Sequence, residues 1–352
     1  MTGLVGQVVD DRYRIEEEIG CGAMGMVFRA RHVRVGREAA IKVLHGHLMR
    51  DPIMVERFER EAAIVARLHH KNLVNVIDVG ETADRQRYMV QDLVRGPSLG
   101  AIITHSLLAP KRIVHLTKQL LSGLAHAHDA GLVHRDLKPE NVIVEVDNFG
   151  VEVPRIVDFG IALLRDQSKR LTSTGTILGT PAYMAPEQAQ GGAPDPRSDL
   201  FALGVIVYEM LAGKQPFDGS SVELVIANMS IDPPRIQDRS HIEVDPLLEA
   251  FARKLMARRL RERFASARAA LIALELVERD RDAASEMLGL VYERPLDKTV
   301  AMLRARAATG PMRPIARSRH WPLLAGAVLI LGAALGWHAM RPHKAELIEV
   351  LR

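Results

Sequence analysis

The sequence predicts an α+β chain with room for two lobes, strands first and helices after, and then one membrane-spanning helix. Three observations carry this. Met26 to Arg31 alternates like a strand, a β-like stretch ends at Lys42, and 72–79 and 87–94 read as two more strands joined by a polar turn. From Pro110 to Gly131 the apolar residues Ile113, Leu116, Leu120, Leu121, Leu124, Ala125 and His128 recur at helical spacing, and Ser198 to Leu211 is apolar on every face, which calls for a buried helix. From Trp321 to Met340, 20 positions hold His338 as their one polar residue. At about 1.5 Å per residue that length just crosses a hydrocarbon core of about 30 Å.

At 352 residues, 47% hydrophobic and 26% charged, the chain can bury a core rather than remain disordered. The net charge of +4 is modest and concentrated. Arg304, Arg306, Arg313, Arg317 and Arg319 form one run without an acid, which suits a membrane-proximal segment better than a nucleic-acid face. A single cysteine, Cys21, excludes an intramolecular disulfide and suits a reducing cytosol. Met1-Thr2-Gly3 leads into mixed polar sequence with no basic stretch before an apolar run, so no signal peptide is expected.

Glycines at 20, 22 and 25 free the backbone between Ile19 and Val27 to close its N–H groups over phosphates. The same spacing serves dinucleotide sites, but those begin a helix within the glycines, and here a strand follows. Cys21 is either a reactive thiol or a small residue filling the turn. Glu56 to Leu68 reads as an amphipathic helix with Phe58, Ala62, Val65 and Leu68 as its apolar stripe; Glu61 lies beside that stripe, whereas Glu56 and Glu59 read as solvent charges. His126 and His128 read as packed or solvated rather than metal-bound, since no cysteine or acid cluster stands near them. Ser198 or Asp199 can cap the apolar helix that follows.

The chain is organised around His134-Arg-Asp-Leu-Lys-Pro-Glu-Asn141. An acid, Asp136, a cation, Lys138, and an amide, Asn141, share one short turn, and phosphoryl transfer to a hydroxyl needs those three groups together. The octet resembles the catalytic loop of serine/threonine protein kinases. Ala39-Ala-Ile-Lys42, Asp158-Phe-Gly160 and Ala185-Pro-Glu187 follow the same family pattern, and the resemblance runs from Tyr13 to Leu276, closest to the bacterial eukaryotic-like (Hanks-type) enzymes.

That resemblance implies a two-lobed kinase fold, with an N-lobe at 13–95 and a C-lobe at 96–276 joined through Arg95-Gly96. It implies Asp136 as base, Lys138 as neutralising cation, and Lys42, held by Glu61, as the grip on the α- and β-phosphates. Asn141 and Asp158, at the ends of adjacent strands, would supply two oxygen ligands for Mg²⁺, with Mn²⁺ as an alternative. ATP would lie against Ile19, Gly20, Cys21, Gly22, Ala23, Met24, Gly25, Met26, Val27, Ala40, Lys42 and Ile143, with backbone groups of Asp92 and Val94 at the adenine edge and Gln91 limiting the pocket's depth. The hydroxyl-rich stretch Leu163 to Leu178 resembles an activation segment, with Thr172 and Thr174 as autophosphorylation sites and Arg135 as the receiver of phosphate. Thr180 is expected near Asp136 and Lys138, Asp199 as a brace for the catalytic loop, and the arginine of Arg261-Glu-Arg263-Phe as partner of Glu187.

Arg279 to Val300 adds a helical segment to this reading, within a juxtamembrane stretch 277–319; the span 321–340 and a short outer tail 341–352 complete it. The arginine run places the kinase domain on the cytoplasmic side of a bacterial inner membrane, and Trp321 and Trp337 would sit at the two interfaces. Gly332 and Gly336 form a G-x-x-x-G step through which two spans could pair as a homodimer. The expected function is a membrane-anchored, non-specific serine/threonine protein kinase acting on protein substrates in signal transduction, with no nucleic-acid partner. A catalytically silent scaffold would be the rival reading had Lys42, Asp136 or Asp158 been lost; a small-molecule phosphotransferase would not need the hydroxyl-rich segment.

Overall fold

Alternation in the first ninety residues builds one antiparallel sheet. Its strands are β1 (Val8–Val9), β2 (Tyr13–Cys21), β3 (Gly25–His32), β4 (Glu38–Leu44), β5 (Val76–Glu81) and β6 (Arg87–Asp92), in the order β1-β2-β3-β4-β6-β5. Because side chains alternate between faces, Phe28, Ile41, Val43, Tyr88 and Val90 enter one core with Tyr13 and Ile15, while Val27, Ala40, Lys42 and Gln91 face a cleft. The computed structural model describes residues 3–22, 25–159, 180–240 and 243–290, apart from the side chains of Arg57 and Glu61.

Helix α1 (Pro52–Val65) begins before the expected Glu56, since Asp51 accepts from the Ile53 N–H and Pro52 opens the first turn, and it ends at Val65 rather than Leu68. The stripe Phe58, Ala62, Val65 and Leu68 is buried as its spacing requires. The stretch Asn72 to Val79 departs from expectation, because its first half leaves the sheet. Asn72 is fully buried, with its amide nitrogen donating to Gln119 Oε1 at 3.1 Å and Pro154 O at 2.9 Å, and Val74 N–H donates to Ile156 O. These bonds tie the segment to the helical lobe, so β5 begins only at Val76.

The larger lobe holds α2 (Leu99–His105), α3 (Pro110–Asp129), the hairpin β7 (Val142–Val146) with β8 (Glu152–Ile156), and then α4 (Pro186–Ala189), α5 (Arg197–Ala212), α6 (Ser221–Ser230), α7 (Ile236–Arg239), α8 (Pro246–Leu255), α9 (Ala267–Arg279) and α10 (Arg281–Leu288). α5 is its axis, buried at nearly every position, as its apolar sequence demands. Neither Ser198 nor Asp199 caps it: the helix starts at Arg197 behind Pro196, and both side chains are engaged elsewhere. Between the lobes, Gly96 has φ +150°, and a Cβ there would lie 2.1 Å from Val144 O, so only glycine fits. Among the described residues no helix is long and apolar enough to cross a membrane; the span expected at 321–340 lies outside them, as do the juxtamembrane stretch beyond Leu290 and the tail.

Candidate active site

The turn after α3 is fixed from beneath by one buried carboxylate. Asp199 Oδ2 accepts from His134 N–H at 2.8 Å, Oδ1 accepts from Arg135 N–H at 2.8 Å, and His128 Nε2 lies 2.8 Å from Oδ2. Burial works to raise the Asp199 pKa, but the bond and charge of His128, with His134 and its backbone N–H, outweigh it and hold the carboxyl below its usual range. Arg135 takes φ +67°, a conformation that costs a non-glycine residue about 1–2 kcal/mol. The Asp199 bond to its N–H and the Gln188 amide donating to its carbonyl at 2.9 Å hold it there.

His134 links this turn to the next strand end. Its Nδ1 accepts from Asp136 N–H at 3.3 Å, its Nε2 donates to Val157 O at 3.0 Å, and its ring lies 4.9 Å from that of Phe159. Asn141 closes the loop, its amide nitrogen donating to Asp136 O at 2.8 Å and its carbonyl accepting from Val157 N–H at 2.9 Å. Lys138 Nζ stands 3.4 Å from Asp136 Oδ2 and donates to Thr180 Oγ1 at 3.0 Å. Acid, cation and amide thus share one constellation, and Thr180 joins them.

From the other lobe, buried Lys42 donates to Asp158 Oδ1 at 2.8 Å. Asp158 has φ +55°, a second left-handed residue beside the same turn. Burial again works to raise its pKa, and Lys42, with His134 and Lys138, overcomes it and keeps the carboxyl ionised below its usual range. The side chain of Glu61, the expected partner of Lys42, lies outside the described residues.

These groups line a cleft of 550 Å³. The structure brings together there Ile19, Gly20, Cys21, Gly22, Val27, Ala40, Lys42, Asp92, Val94 and Ile143 with Asp136, Lys138, Asn141 and Asp158. Asp92 turns its side chain away, to Arg37 at 2.7 Å and Asn75 at 2.8 Å, so it presents backbone. Gln91 is buried at the cleft wall. Two of the residues expected at the nucleotide are not among those lining this cleft. Met26 points to the opposite face of β3 and lines a separate cavity of 880 Å³ with Phe28 and Val43. Gly25 is not among the residues lining the cleft, and a Cβ there would meet Val43 O at 2.1 Å, so strand packing by itself requires glycine. Ala23, Met24, Thr172 and Thr174 lie outside the described residues. Sequence reasoning did not place Leu93, Glu140, Val157 or Phe159 in the cleft wall. Each adjoins a residue that was named, and that adjacency was the available signal.

Further out, Arg263 makes a two-pronged pair with Glu187, Nη1 to Oε1 at 2.7 Å and Nη2 to Oε2 at 2.8 Å, and Ser198 Oγ donates to the same carboxylate at 2.6 Å. The Arg263 side chain is fully buried, so this pair fastens the segment after Thr180 to α5 and the chain beyond α8.

A protein kinase domain model matches residues 13–273. The chain belongs to the protein kinase family. Within it, this kinase is homologous to bacterial serine/threonine kinases. It is 38% identical to serine/threonine-protein kinase pkn3 of Myxococcus xanthus over 79% of its own length and 52% of the relative's. It is 37% identical to PknB of Mycolicibacterium smegmatis over 74% and 42%. The kinase chain thus spans about half or less of these curated relatives. The crystal structure of the Mycobacterium tuberculosis PknI kinase domain superposes with a TM-score of 0.61 at 27% identity, covering 77% of this chain and 97% of that one. The strand-rich small lobe and helical large lobe are therefore the two-lobed kinase fold.

Proposed function

We propose that the chain is an active protein serine/threonine kinase that transfers the γ-phosphate of ATP to protein hydroxyls, its own Thr172 and Thr174 included. The observation that carries this reading is the convergence of Asp136, Lys138, Asn141, Asp158 and Lys42 on one cleft, with Lys42 2.8 Å from Asp158 and Lys138 3.4 Å from Asp136. Asp136 accepts the proton of the acceptor hydroxyl as its oxygen bonds to the γ-phosphorus and the bond to the β-phosphate oxygen breaks, releasing ADP. Lys138 offsets charge on the transferring group, and Thr180, hydrogen-bonded to it, stands at the acceptor side. Lys42 is the group of the small lobe that meets the nucleotide phosphates, held in direction by Glu61.

The residues fit a hard divalent cation. Asn141 uses its amide nitrogen on Asp136 O, which leaves its amide oxygen, and Asp158 is held ionised. Asn141 and Asp158 would hold Mg²⁺ or Mn²⁺, which supplies charge neutralisation of the phosphates. For the whole chain, the reading adds a single inner-membrane span at 321–340 with the kinase domain cytoplasmic, a juxtamembrane segment that follows α10 instead of starting at 277, since Val277 and Ala284 belong to the core, and that ends at 319, a tail at 341–352, and pairing through Gly332 and Gly336.

Labelled ATP and Mg²⁺ with the full chain test the chemistry. Label is expected on serine and threonine, including Thr172 or Thr174, and to vanish with a chelator. Transfer that persists without divalent metal, or none at all with it, would overturn the assignment. Membrane sedimentation lost on truncation at Arg319 supports the span.

A further inference from the structure

Among the described residues, every buried polar side chain but one has a hydrogen-bond partner. Lys42, Asn72, His134, Asn141, Asp199 and Asn228 are each engaged. Gln91 is the exception. It is 7% exposed and lines the cleft, yet its amide makes no hydrogen bond within the protein.

Strand register explains the isolation. Gln91 stands opposite Ala40 of β4 on one side and Val76 of β5 on the other. Directly opposed residues of antiparallel strands project to the same face, so the amide is flanked by two apolar side chains. Its neighbours along β6 do not help. Val90 enters the core on the far side of the sheet, and Asp92 turns its carboxylate to Arg37 and Asn75. A buried amide without a partner carries a desolvation penalty that a ligand can remove by bonding to it.

The adjoining backbone narrows what that ligand group can be. Asp92 N–H already donates to Asn75 O at 3.0 Å, so the carbonyl is the backbone group this residue has left for a ligand. Two acceptors, the Asp92 carbonyl and Gln91 Oε1, therefore belong to consecutive residues of the cleft wall. An amino group on an aromatic ring has two N–H bonds, and one acceptor satisfies only one of them. An oxo group in that place would set its lone pairs against those of the Asp92 carbonyl.

We infer that Gln91 is a specificity-determining residue for the nucleotide base: its Oε1 accepts from the second N–H of the adenine 6-amino group, the first being taken by the Asp92 carbonyl. This rests on the reading of the cleft as the ATP site. An apolar residue at the same place would bound the pocket but could not read the amine.

The test uses the full chain with Mg²⁺ and measures binding by calorimetric titration. ATP is compared with purine riboside triphosphate, which carries hydrogen where adenine carries its 6-amino group. Loss of one hydrogen bond corresponds to about a three- to tenfold change in affinity. The wild type is expected to prefer ATP. Gln91→Met, apolar and of similar length, is expected to weaken ATP by that factor without weakening the analogue, so the ratio of the two Kd values shrinks accordingly. Because the variant removes an unpaired buried amide, its melting temperature is expected to hold or rise. Should Gln91→Met fail to fold, Gln91→Leu is read by the same ratio. An unchanged ratio, whether both nucleotides bind as before or both weaken alike, would overturn the inference. If the wild type binds neither nucleotide, the reading of the cleft falls and this inference with it; if it binds ATP and the ratio does not move in the variant, only the inference falls.

Discussion

The two turns that meet across the cleft are built in opposite ways. The catalytic turn of the large lobe is tied at His134, Arg135, Asp136 and Asn141 into a buried network rooted in Asp199, with Arg135 and Asp158 held in left-handed backbone. The glycine turn of the small lobe is held at Gly25 by packing and at Gly22 by one side chain, with Gly20 open. The difference separates two tasks. Groups that must stabilise developing charge act best when fixed before the reaction. A turn that admits and releases nucleotide needs low local stability.

If this contrast is right, damage should be graded. The largest effect belongs to the chemistry: Asp136→Asn should lower phosphotransfer by about three powers of ten while the thermal melt stays near wild type. A comparable fall in melting temperature would mean that Asp136 holds the fold instead. Next comes the brace at the far end of the segment. Arg263→Ala leaves Glu187 charged, largely buried and without its guanidinium partner, so urea unfolding should show a loss of about 3 kcal/mol.

Asp199→Asn removes the charge that three donors share, and should cost about 2–3 kcal/mol at neutral pH. Its pH dependence sharpens the point. The folded Asp199 carboxyl titrates below its unfolded value of about 3.9, so its stabilisation is present above that value and drains as pH falls through the lowered one. Asp158 and Glu187 are shifted the same way. Unfolding free energy should thus decline below about pH 4, less steeply in Asp199→Asn than in the wild type. Equal slopes would place the acid sensitivity elsewhere.

The smallest effects separate two glycines of one turn. Gly25→Ala forces a methyl onto Val43 O and should destabilise by about 1–3 kcal/mol. Gly22→Ala, whose Cβ would make only an ordinary contact with Gly25 O at 3.8 Å, should stay within about 0.5 kcal/mol in stability. Identical melts for the two variants would erase the distinction between an anchored and an open half.

What could be read in the sequence was whatever sits in a short, dense motif. His134 to Asn141 announces the catalytic turn because its acid, cation and amide are neighbours in the chain. Period-two and period-three-to-four patterns gave the sheet, α1, α3 and α5. What stayed hidden depends on partners far away along the chain. Asn72 looks like the start of a strand until Gln119 and Pro154 claim its amide. Asp199 reads from local pattern as a helix cap, and it was the family resemblance, not the pattern, that pointed to the turn sixty-odd residues earlier whose N–H groups its carboxylate accepts. Gly25 carries a packing requirement that the sequence cannot display, the Val43 carbonyl beneath it.

Gly96 decides where the molecule can bend. Its backbone lies on Val144, Val144 N–H donates to Pro97 O at 3.0 Å, and Arg95 N–H donates to Glu145 Oε1 at 3.0 Å, so the linker from Arg95 onward rides with β7. On the other side, Asp92 ends β6 and its N–H donates to Asn75 O. The pivot is left to Leu93 and Val94, which themselves line the cleft. A change in the angle between the lobes would therefore reshape the wall against which an adenine ring would rest. A compound wedged at Leu93 and Val94 acts as a shim in the hinge, and its grip should track the angle between the lobes rather than the contacts of either lobe alone.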